Sequence, residues 1–234
     1  MHDLTSFPIT RKWPPRHPDR LQLYSLATPN GVKLSIMLEE TGLPYEVHRV
    51  SFDSDDQNSP EFLSLNPYGK IPAIIDPAGP GGAPLPMFES GAILLYLAEK
   101  TGRLLPTEPA ARHEAMVWLM FQMSAIGPMF GQVGFFHKFA GRLYEDKRPL
   151  DRYVAEAKRL LGILDARLAT RRWLLGSEYS IVDIATFPWI RNLIGYYGAG
   201  GLVGIEAFGH VTRTLAAFLE RPAVQRGLKI PASA

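Results

Sequence analysis

Hydrophobic and polar residues alternate in two short stretches near the start of the chain. Leu21–Leu26 and Tyr45–Phe52 both show the period of two that predicts a half-buried strand. Between them, Val32–Thr41 carries apolar residues at helical spacing and is followed by Gly42, a residue typical of the position just after a helix. This order predicts a β-α-β unit.

Two more short strands and a helix follow a polar loop. Pro60–Leu63 predicts a short helical turn, and Ala73–Asp76 and Pro86–Phe88 predict strands joined by a loop of proline and glycine residues. Ser90–Lys100 then has the spacing of a helix. The first half of the chain therefore predicts an α/β domain with a mixed, four-stranded sheet.

From Pro109 onward the pattern indicates helices alone. Ala110–Gln122 continues into a kink at Gly127-Pro128, and Leu150–Leu168 has one apolar side. Ser180–Asp183 predicts a capping box, with Asp in place of Glu, at the start of a buried helix. The remaining predicted helices are Ile181–Tyr197, Ile205–Leu219 and Pro222–Gly227.

These patterns divide the chain into segments. We expect 1–20 to be an N-terminal extension on the surface or on a partner subunit, where Ile9–Pro15 can cross a two-fold interface. Residues 21–104 form the predicted α/β domain, 105–112 a linker, and 113–230 an all-helical domain.

Charge and cysteine content exclude several functions. The net charge of +2, from 25 basic and 23 acidic residues, predicts no nucleic-acid surface. The chain has no cysteine, which excludes disulfides, thiolate metal sites and a cysteine nucleophile. This absence is consistent with a reducing compartment. Met1–Pro15 lacks an apolar core, so we expect no secretory signal.

One stretch is long and apolar enough to suggest a membrane span. Ala115–Phe136 carries no charged residue. However, it contains Gln122, Ser124 and Gln132 in addition to the Gly127-Pro128 break. We therefore expect a buried, kinked helix and no membrane association.

The stretch from Asn66 to Leu97 carries the candidate chemistry. Ile71-Pro72 precedes a strand, and a cis bond there would turn the backbone of Ile71 outward to pair with an extended ligand. Glu89 and Ser90 stand at a helix N-terminus, where unpaired N–H groups bind carboxylates, while Glu89 can take an ammonium. A ligand with a free amine and a free carboxylate at one end, such as the γ-glutamyl group of glutathione, fits this pattern.

The order of these motifs resembles the glutathione transferase superfamily over residues 21 to about 228. Thr28-Pro29-Asn30-Gly31, Lys70-Ile71-Pro72-Ala73-Ile74 and Phe88-Glu89-Ser90-Gly91 look like the nu class, which are bacterial disulfide-bond oxidoreductases. The resemblance implies a thioredoxin-like N-terminal domain with a mixed four-stranded sheet and an all-α C-terminal domain. It also implies a cytoplasmic homodimer.

The resemblance assigns roles to individual residues. It implies that Thr28 and Asn30 donate hydrogen bonds to the glutathione thiolate; the alternative is that they only cap a helix or form a turn. It further implies glutathione contacts from a set of residues in both domains, each of which has an ordinary loop, surface or packing role as its alternative. These residues are Gln57, Lys70, Ile71, Pro72, Glu89, Ser90 and Arg152, with Lys33 as a weaker candidate.

The implied function is glutathione-dependent disulfide reduction, with two glutathiones or one oxidised glutathione in each site and no metal. Conjugation of glutathione to small electrophiles and a non-enzymatic glutathione-binding regulatory module are the alternatives. Aromatic side chains of the helical domain can shape a pocket for the second substrate, although core packing is the commoner role for such residues. They are Phe130, Phe135, Phe136 and Tyr144.

Overall fold

The computed structural model describes residues 4–232, and the chain divides into two compact units. The first unit contains the described residues up to Thr101 together with those from Pro222 onward, and the second unit is Gly102–Arg221. This division differs from the expected helical segment 113–230 at both ends. The C-terminal residues return to the first unit, which sequence patterns do not reveal.

The first unit is built on a mixed sheet of four strands, as predicted. The strands have the order β2-β1-β3-β4, with β1 and β2 parallel and the other pairs antiparallel. In chain order the elements are α1 (Ile9–Lys12), β1 (Leu21–Ser25), α2 (Pro29–Thr41), β2 (Tyr45–Arg49), α3 (Pro60–Leu63), β3 (Ala73–Asp76), β4 (Leu85–Phe88) and α4 (Ser90–Thr101).

Helix α2 begins three residues before the predicted start because Pro29 occupies its first turn, a position that proline favours. Thr28 is the N-cap, and Gly42 ends the helix in the left-handed conformation with φ of 74°. Every residue from Gly31 to Leu38 is buried. The helix is therefore a central element of the unit and not a half-exposed surface helix.

The first described residues, from Leu4 onward, pack against the rest of this unit. Leu4 and Ile9 are buried in one apolar cluster with Val50, Phe62 and Ile71. The expectation that this segment lies on the surface or on a partner subunit is therefore wrong for these side chains. We refer to residues 4–17 as the N-terminal strap.

Three contacts fix the far end of the strap. The indole Nε1 of Trp13 donates to the carbonyl of Arg49 at 3.1 Å, and its ring packs edge-on against Tyr24 and Phe62. The backbone N–H of His17 donates to Glu46 at 2.7 Å. The strap thus runs along the β1–β2 side of the sheet.

The second unit consists of helices, as predicted. They are α5 (Pro109–Phe121), α6 (Gly127–His137), α7 (Arg148–Leu168), α8 (Ile181–Ile194), α9 (Gly200–Val203) and α10 (Gly209–Leu219). A π-helical segment, Gln122–Ile126, joins α5 to α6 at the predicted kink. Within residues 4–232, no helix combines the length and apolarity needed to cross a membrane.

The capping box at the start of α8 is confirmed. Ser180 Oγ accepts from Val182 N at 3.2 Å, and Asp183 Oδ2 accepts from Ser180 N at 2.9 Å. The helix predicted over Ile205–Leu219 begins only at Gly209, because Ile205–Ala207 form a 3₁₀ turn and Phe208, with φ of −107° and ψ of 66°, is not helical.

The last helix, α11 (Pro222–Gly227), belongs to the first unit. It packs against α2, and Ser35 Oγ donates to the carbonyl of Gly227 at 2.7 Å. A Cβ on Gly227 would lie 2.7 Å from the backbone of Ile36, so glycine permits this close approach.

Candidate functional site

Four loops of the first unit meet at one edge of its sheet. Ser25 at the end of β1 pairs with Arg49 at the end of β2, and Tyr24 pairs with Ala73 at the start of β3. Ala73 in turn pairs with Phe88 at the end of β4. Because adjacent strands lie about 5 Å apart, the four loops begin within about 15 Å of one another. We call this the loop edge; it carries all the predicted site residues except Arg152.

The loop after β1 leads directly into the N-terminus of α2. Thr28 Oγ1 accepts the backbone N–H of Gly31 at 3.2 Å, so the capping role considered for Thr28 is confirmed. Its hydroxyl hydrogen can still be donated to another group, because a hydroxyl both donates and accepts. Asn30 stands in the first turn of α2 and is partly exposed. A Cβ on Gly31 would lie 1.8 Å from the carbonyl oxygen of Leu26, so only glycine fits there.

The loop after β2 presents Gln57. Asp55 adopts a left-handed conformation with φ of 53°, and its Oδ1 accepts from Gln57 Nε2 at 2.7 Å. The other end of this side chain, the Oε1 atom, is buried and has no hydrogen-bond partner within residues 4–232. The acceptor capacity of this oxygen is therefore not used by the described residues.

The loop before β3 is organised by Asn66. Its side chain accepts from Tyr68 N at 3.0 Å and donates to the carbonyl of Lys70. Ile71-Pro72 is a cis peptide bond, and Ile71 lies outside the strand ladder, which begins at Ala73. The Lys70 ammonium is exposed and lies 5.8 Å from the centre of the Tyr68 ring.

The junction between β4 and α4 places Glu89 and Ser90. Glu89 has φ of 72°, a left-handed conformation that is uncommon for a residue other than glycine and is often found at functional sites. Its carbonyl accepts the N–H of Ile93 at 2.9 Å, and its side chain is exposed. Ser90 is the buried first residue of α4.

A buried lysine stands behind this junction. Lys33 Nζ donates to Ser90 Oγ at 3.3 Å, and the lysine side chain has no exposed surface. Burial lowers the pKa of Lys33 to about 7, and the nearby Glu89 carboxylate partly opposes this shift.

The remaining predicted residues lie in the helical unit. Arg152 is exposed near the start of α7, so its predicted contact with glutathione stays a prediction. Phe130 is fully buried and belongs to the core. Phe135 packs edge-on against Phe136 and Tyr144, with ring centres 5.0 and 6.2 Å apart. These three rings thus pack on one another, and a role in a substrate pocket stays a prediction for them.

The described part of the chain contains no group of three or more His, Cys, Asp or Glu residues that could hold a metal ion. The loop edge itself carries helix N-termini, hydroxyls, amides and a buried amine. Such groups stabilise an anion and orient a peptide.

Sequence reasoning underrated two residues of this edge. Lys33 is only a weaker candidate in the sequence, because lysine is usually exposed, yet the packing around α2 buries it completely. Asn66 was not singled out, although Asn-Pro-Tyr-Gly is a strong turn signal whose asparagine can bind its own loop.

Two family models match the chain. The model described as Glutathione S-transferase, N-terminal domain matches residues 19–99, and the model described as Glutathione S-transferase, C-terminal domain matches residues 149–221. Among curated proteins, Disulfide-bond oxidoreductase YghU of Escherichia coli is 42% identical over 220 residues, which are 91% of this chain and 74% of that protein. Disulfide-bond oxidoreductase YfcG of the same organism is 45% identical over 173 residues, 73% of this chain and 79% of that protein.

Solved structures give the same picture. A glutathione transferase from Burkholderia graminis, with two glutathione molecules bound per subunit, is 70% identical with a TM-score of 0.99 and covers 100% of this chain and 98% of its own. A glutathione transferase from Pseudomonas putida, with one glutathione disulfide per subunit, is 69% identical with a TM-score of 0.97, covering 98% and 99% of the two chains.

Proposed function

Because the chain belongs to the glutathione S-transferase family, we propose that it is a glutathione-dependent disulfide-bond reductase. One observation carries the proposal: the sequence of 234 residues contains no cysteine. A protein without a thiol cannot form a mixed disulfide with its substrate. Both reducing sulfur atoms must therefore come from two bound glutathiones, which leave the site as one glutathione disulfide.

The loop edge supplies the groups that such a ligand needs. The γ-glutamyl carboxylate binds the N-terminus of α4 at Ser90, and the neighbouring ammonium binds Glu89. The backbone of Ile71, kept outside the ladder by Pro72, pairs with the cysteinyl residue of glutathione. Gln57, Lys70 and Arg152 complete the set, with the two basic residues neutralising carboxylates.

The glutathione sulfur is activated at the N-terminus of α2. A free thiol has a pKa near 8.5 and must lose its proton to attack a disulfide. The α2 dipole favours an anion there, and the hydroxyl of Thr28 and the amide of Asn30 donate hydrogen bonds to it. Thr28 fulfils both roles, because its oxygen caps the helix while its hydrogen faces the thiolate.

The reaction proceeds in two displacements. The first glutathione thiolate attacks one sulfur of the substrate disulfide, the S–S bond breaks, and the departing thiolate takes a proton. The second glutathione thiolate attacks the glutathione sulfur of the resulting mixed disulfide, which forms glutathione disulfide and releases the other substrate thiol. Two glutathiones are oxidised and one disulfide is reduced to two thiols. The protein contributes positioning and charge stabilisation.

A paired assay tests this function. Hydroxyethyl disulfide reduction and chlorodinitrobenzene conjugation are measured with glutathione on the same preparation. We expect efficient reduction and weak conjugation. Strong conjugation without reduction would replace the proposal by the transferase alternative, and glutathione binding without either activity would favour the regulatory module.

The remaining assignments are part of the same proposal. We place the protein in the nu class and in the cytoplasm, because glutathione-driven reduction needs a reducing pool. We also propose a homodimer, the usual assembly of its family, which sedimentation velocity tests directly.

A further inference from the structure

Among the predicted candidates, Lys33 adds a buried amine to the site. Its side chain is completely buried in α2, yet its Nζ lies 3.3 Å from Ser90 Oγ at the start of α4. Lysine is almost never fully buried unless it is paired, because removing an ammonium from water is costly. This buried amine lies against the predicted carboxylate subsite.

The direction of this hydrogen bond determines where the hydroxyl hydrogen of Ser90 points. An ammonium has three donors and no acceptor, so in the charged form Lys33 donates and Ser90 Oγ accepts. The hydroxyl hydrogen of Ser90 must then point away from Lys33. Ser90 is also the first residue of α4, whose initial backbone N–H groups have no acceptor within the helix. A carboxylate bound there would accept hydrogen bonds from the start of α4, and the Lys33 ammonium on the other side of Ser90 would stabilise its negative charge.

Building on the proposed function, we propose that Lys33 is the positioning residue of this carboxylate subsite and that it takes up a proton when the γ-glutamyl carboxylate of glutathione binds at Ser90. The proton comes from solvent and forms the third N–H bond of the Lys33 ammonium.

The pKa of Lys33 supports this coupling between glutathione binding and proton uptake. Burial lowers the pKa of Lys33 to about 7, and the Glu89 carboxylate works against the decrease. At pH 8 the amine of the free protein is therefore mostly neutral. A carboxylate arriving at Ser90 favours the charged form and raises that pKa.

The other ionisable groups near α2 are paired with each other, are neutral or lie farther from Lys33 and Ser90 than Glu89 does. Glu39 of α2 is paired with Arg226 of α11, and Lys100 of α4 is paired with Asp76. Tyr24 of β1 stays neutral, because burial raises its pKa. Two further carboxylates, Glu40 of α2 and Glu99 of α4, lie about 10 Å or more along their helices from Lys33 and Ser90 respectively.

Titration calorimetry measures this proton uptake directly. S-methylglutathione is titrated into the full-length protein at pH 8 in phosphate and in Tris, two buffers that differ in ionisation enthalpy. The blocked thiol cannot release a proton of its own. The buffer dependence of the binding enthalpy gives the number of protons taken up, and we expect it to approach one per site.

Three variants test whether Lys33 is the group that takes up the proton. Lys33→Met should remove the uptake and weaken binding about tenfold. Lys33→Arg, whose side chain stays charged at every pH used, should also remove the uptake but retain binding. It serves as the second variant if the methionine protein folds poorly. Lys229→Met is the matched control, since Lys229 is exposed near the end of the chain, and it should leave both quantities unchanged.

The outcomes separate this inference from the function on which it rests. Binding by the wild type without proton uptake, or uptake that persists in Lys33→Met, would overturn the role of Lys33 and leave disulfide reduction untouched. Failure of the wild type to bind S-methylglutathione at all, with no glutathione-dependent reduction, would overturn the proposed function itself.

Discussion

Lys12 of the N-terminal strap and Asp56 form an ion pair, with Nζ 2.7 Å from Oδ1. The other carboxylate oxygen of Asp56 accepts the backbone N–H of Ser51 at 2.8 Å, which closes the loop after β2. The residue that follows Asp56 is Gln57, a predicted glutathione contact. The strap therefore fixes the loop that presents Gln57, and its apolar residues pack in the cluster that contains Ile71.

Removing this ion pair should weaken glutathione binding. We expect Lys12→Met to raise the glutathione KM by about two- to fivefold, because a partly exposed pair contributes roughly 0.2–1 kcal/mol. The kcat for disulfide reduction at saturating glutathione should not change, since Lys12 touches none of the reacting atoms. Steady-state kinetics over a range of glutathione concentrations separates the two constants.

Arg11→Met is the matched control for that experiment, because Arg11 is the exposed neighbour of Lys12 on the same strap. Lys12→Arg should restore the wild-type KM by renewing the pair. An equal increase in KM for the Arg11 and Lys12 variants would mean that the strap acts only through general stability.

Asn30→Ala should reduce glutathione-dependent disulfide reduction sharply while the fold stays intact. Losing one hydrogen-bond donor to a stabilised anion costs roughly 100- to 1,000-fold in turnover. The side chain is partly exposed in the first turn of α2, so its removal creates no buried cavity. Turnover is measured with hydroxyethyl disulfide, and thermal unfolding reports on the fold. Wild-type turnover would remove Asn30 from the mechanism.

Substitutions of Thr28 distinguish its role as a helix cap from its proposed role in stabilising the thiolate. Thr28→Val should cost about 1 kcal/mol of stability, because the acceptor for Gly31 N–H is lost, and should also reduce turnover. Thr28→Ser keeps the hydroxyl and should retain both properties. Chemical unfolding and turnover are compared for the three proteins. A valine variant with lowered stability but normal turnover would leave Thr28 as a cap only.

The parts of this fold that follow from the sequence are those with strong local signals. Gly42, the Ser180–Asp183 capping box and the apolar period of Leu150–Leu168 each specify one local geometry, and the structure contains all three. The Ile71-Pro72 bond is different, since the sequence permits a cis bond at a proline but does not select it, and the structure shows that the bond is cis.

The strap and Lys33 show where sequence reasoning fails. Leu4 and Ile9 are five residues apart in a segment without a repeating pattern, so nothing local predicts that both are buried. Lysine is usually exposed, and the burial of Lys33 follows from helices packing around α2, which single-sequence periodicity does not report. Both features depend on tertiary contacts.

Asp183, in the capping box of α8, should give the second unit an unusual pH dependence. Burial raises the pKa of this carboxyl to about 6, against the lowering effect of hydrogen bonds from Leu174 and Ser180. A raised pKa in an acid means that the folded state holds the proton more tightly than the unfolded state. The stability from this group is therefore complete below about pH 4 and is lost as the pH rises through about 6.

We expect this loss to be about 3 kcal/mol, since one pKa unit corresponds to about 1.4 kcal/mol. Asp183→Asn cannot titrate, so it isolates the effect from all other groups. The difference in free energy of unfolding between wild type and Asp183→Asn, measured by urea at pH 4.5 and pH 7.5, should shift by about 2 kcal/mol against the wild type at the higher pH, because about a third of the loss has already occurred at pH 4.5. A difference that stays constant between the two pH values would mean that the hydrogen bonds to the carboxylate offset its burial, because the folded and unfolded states would then bind the proton equally.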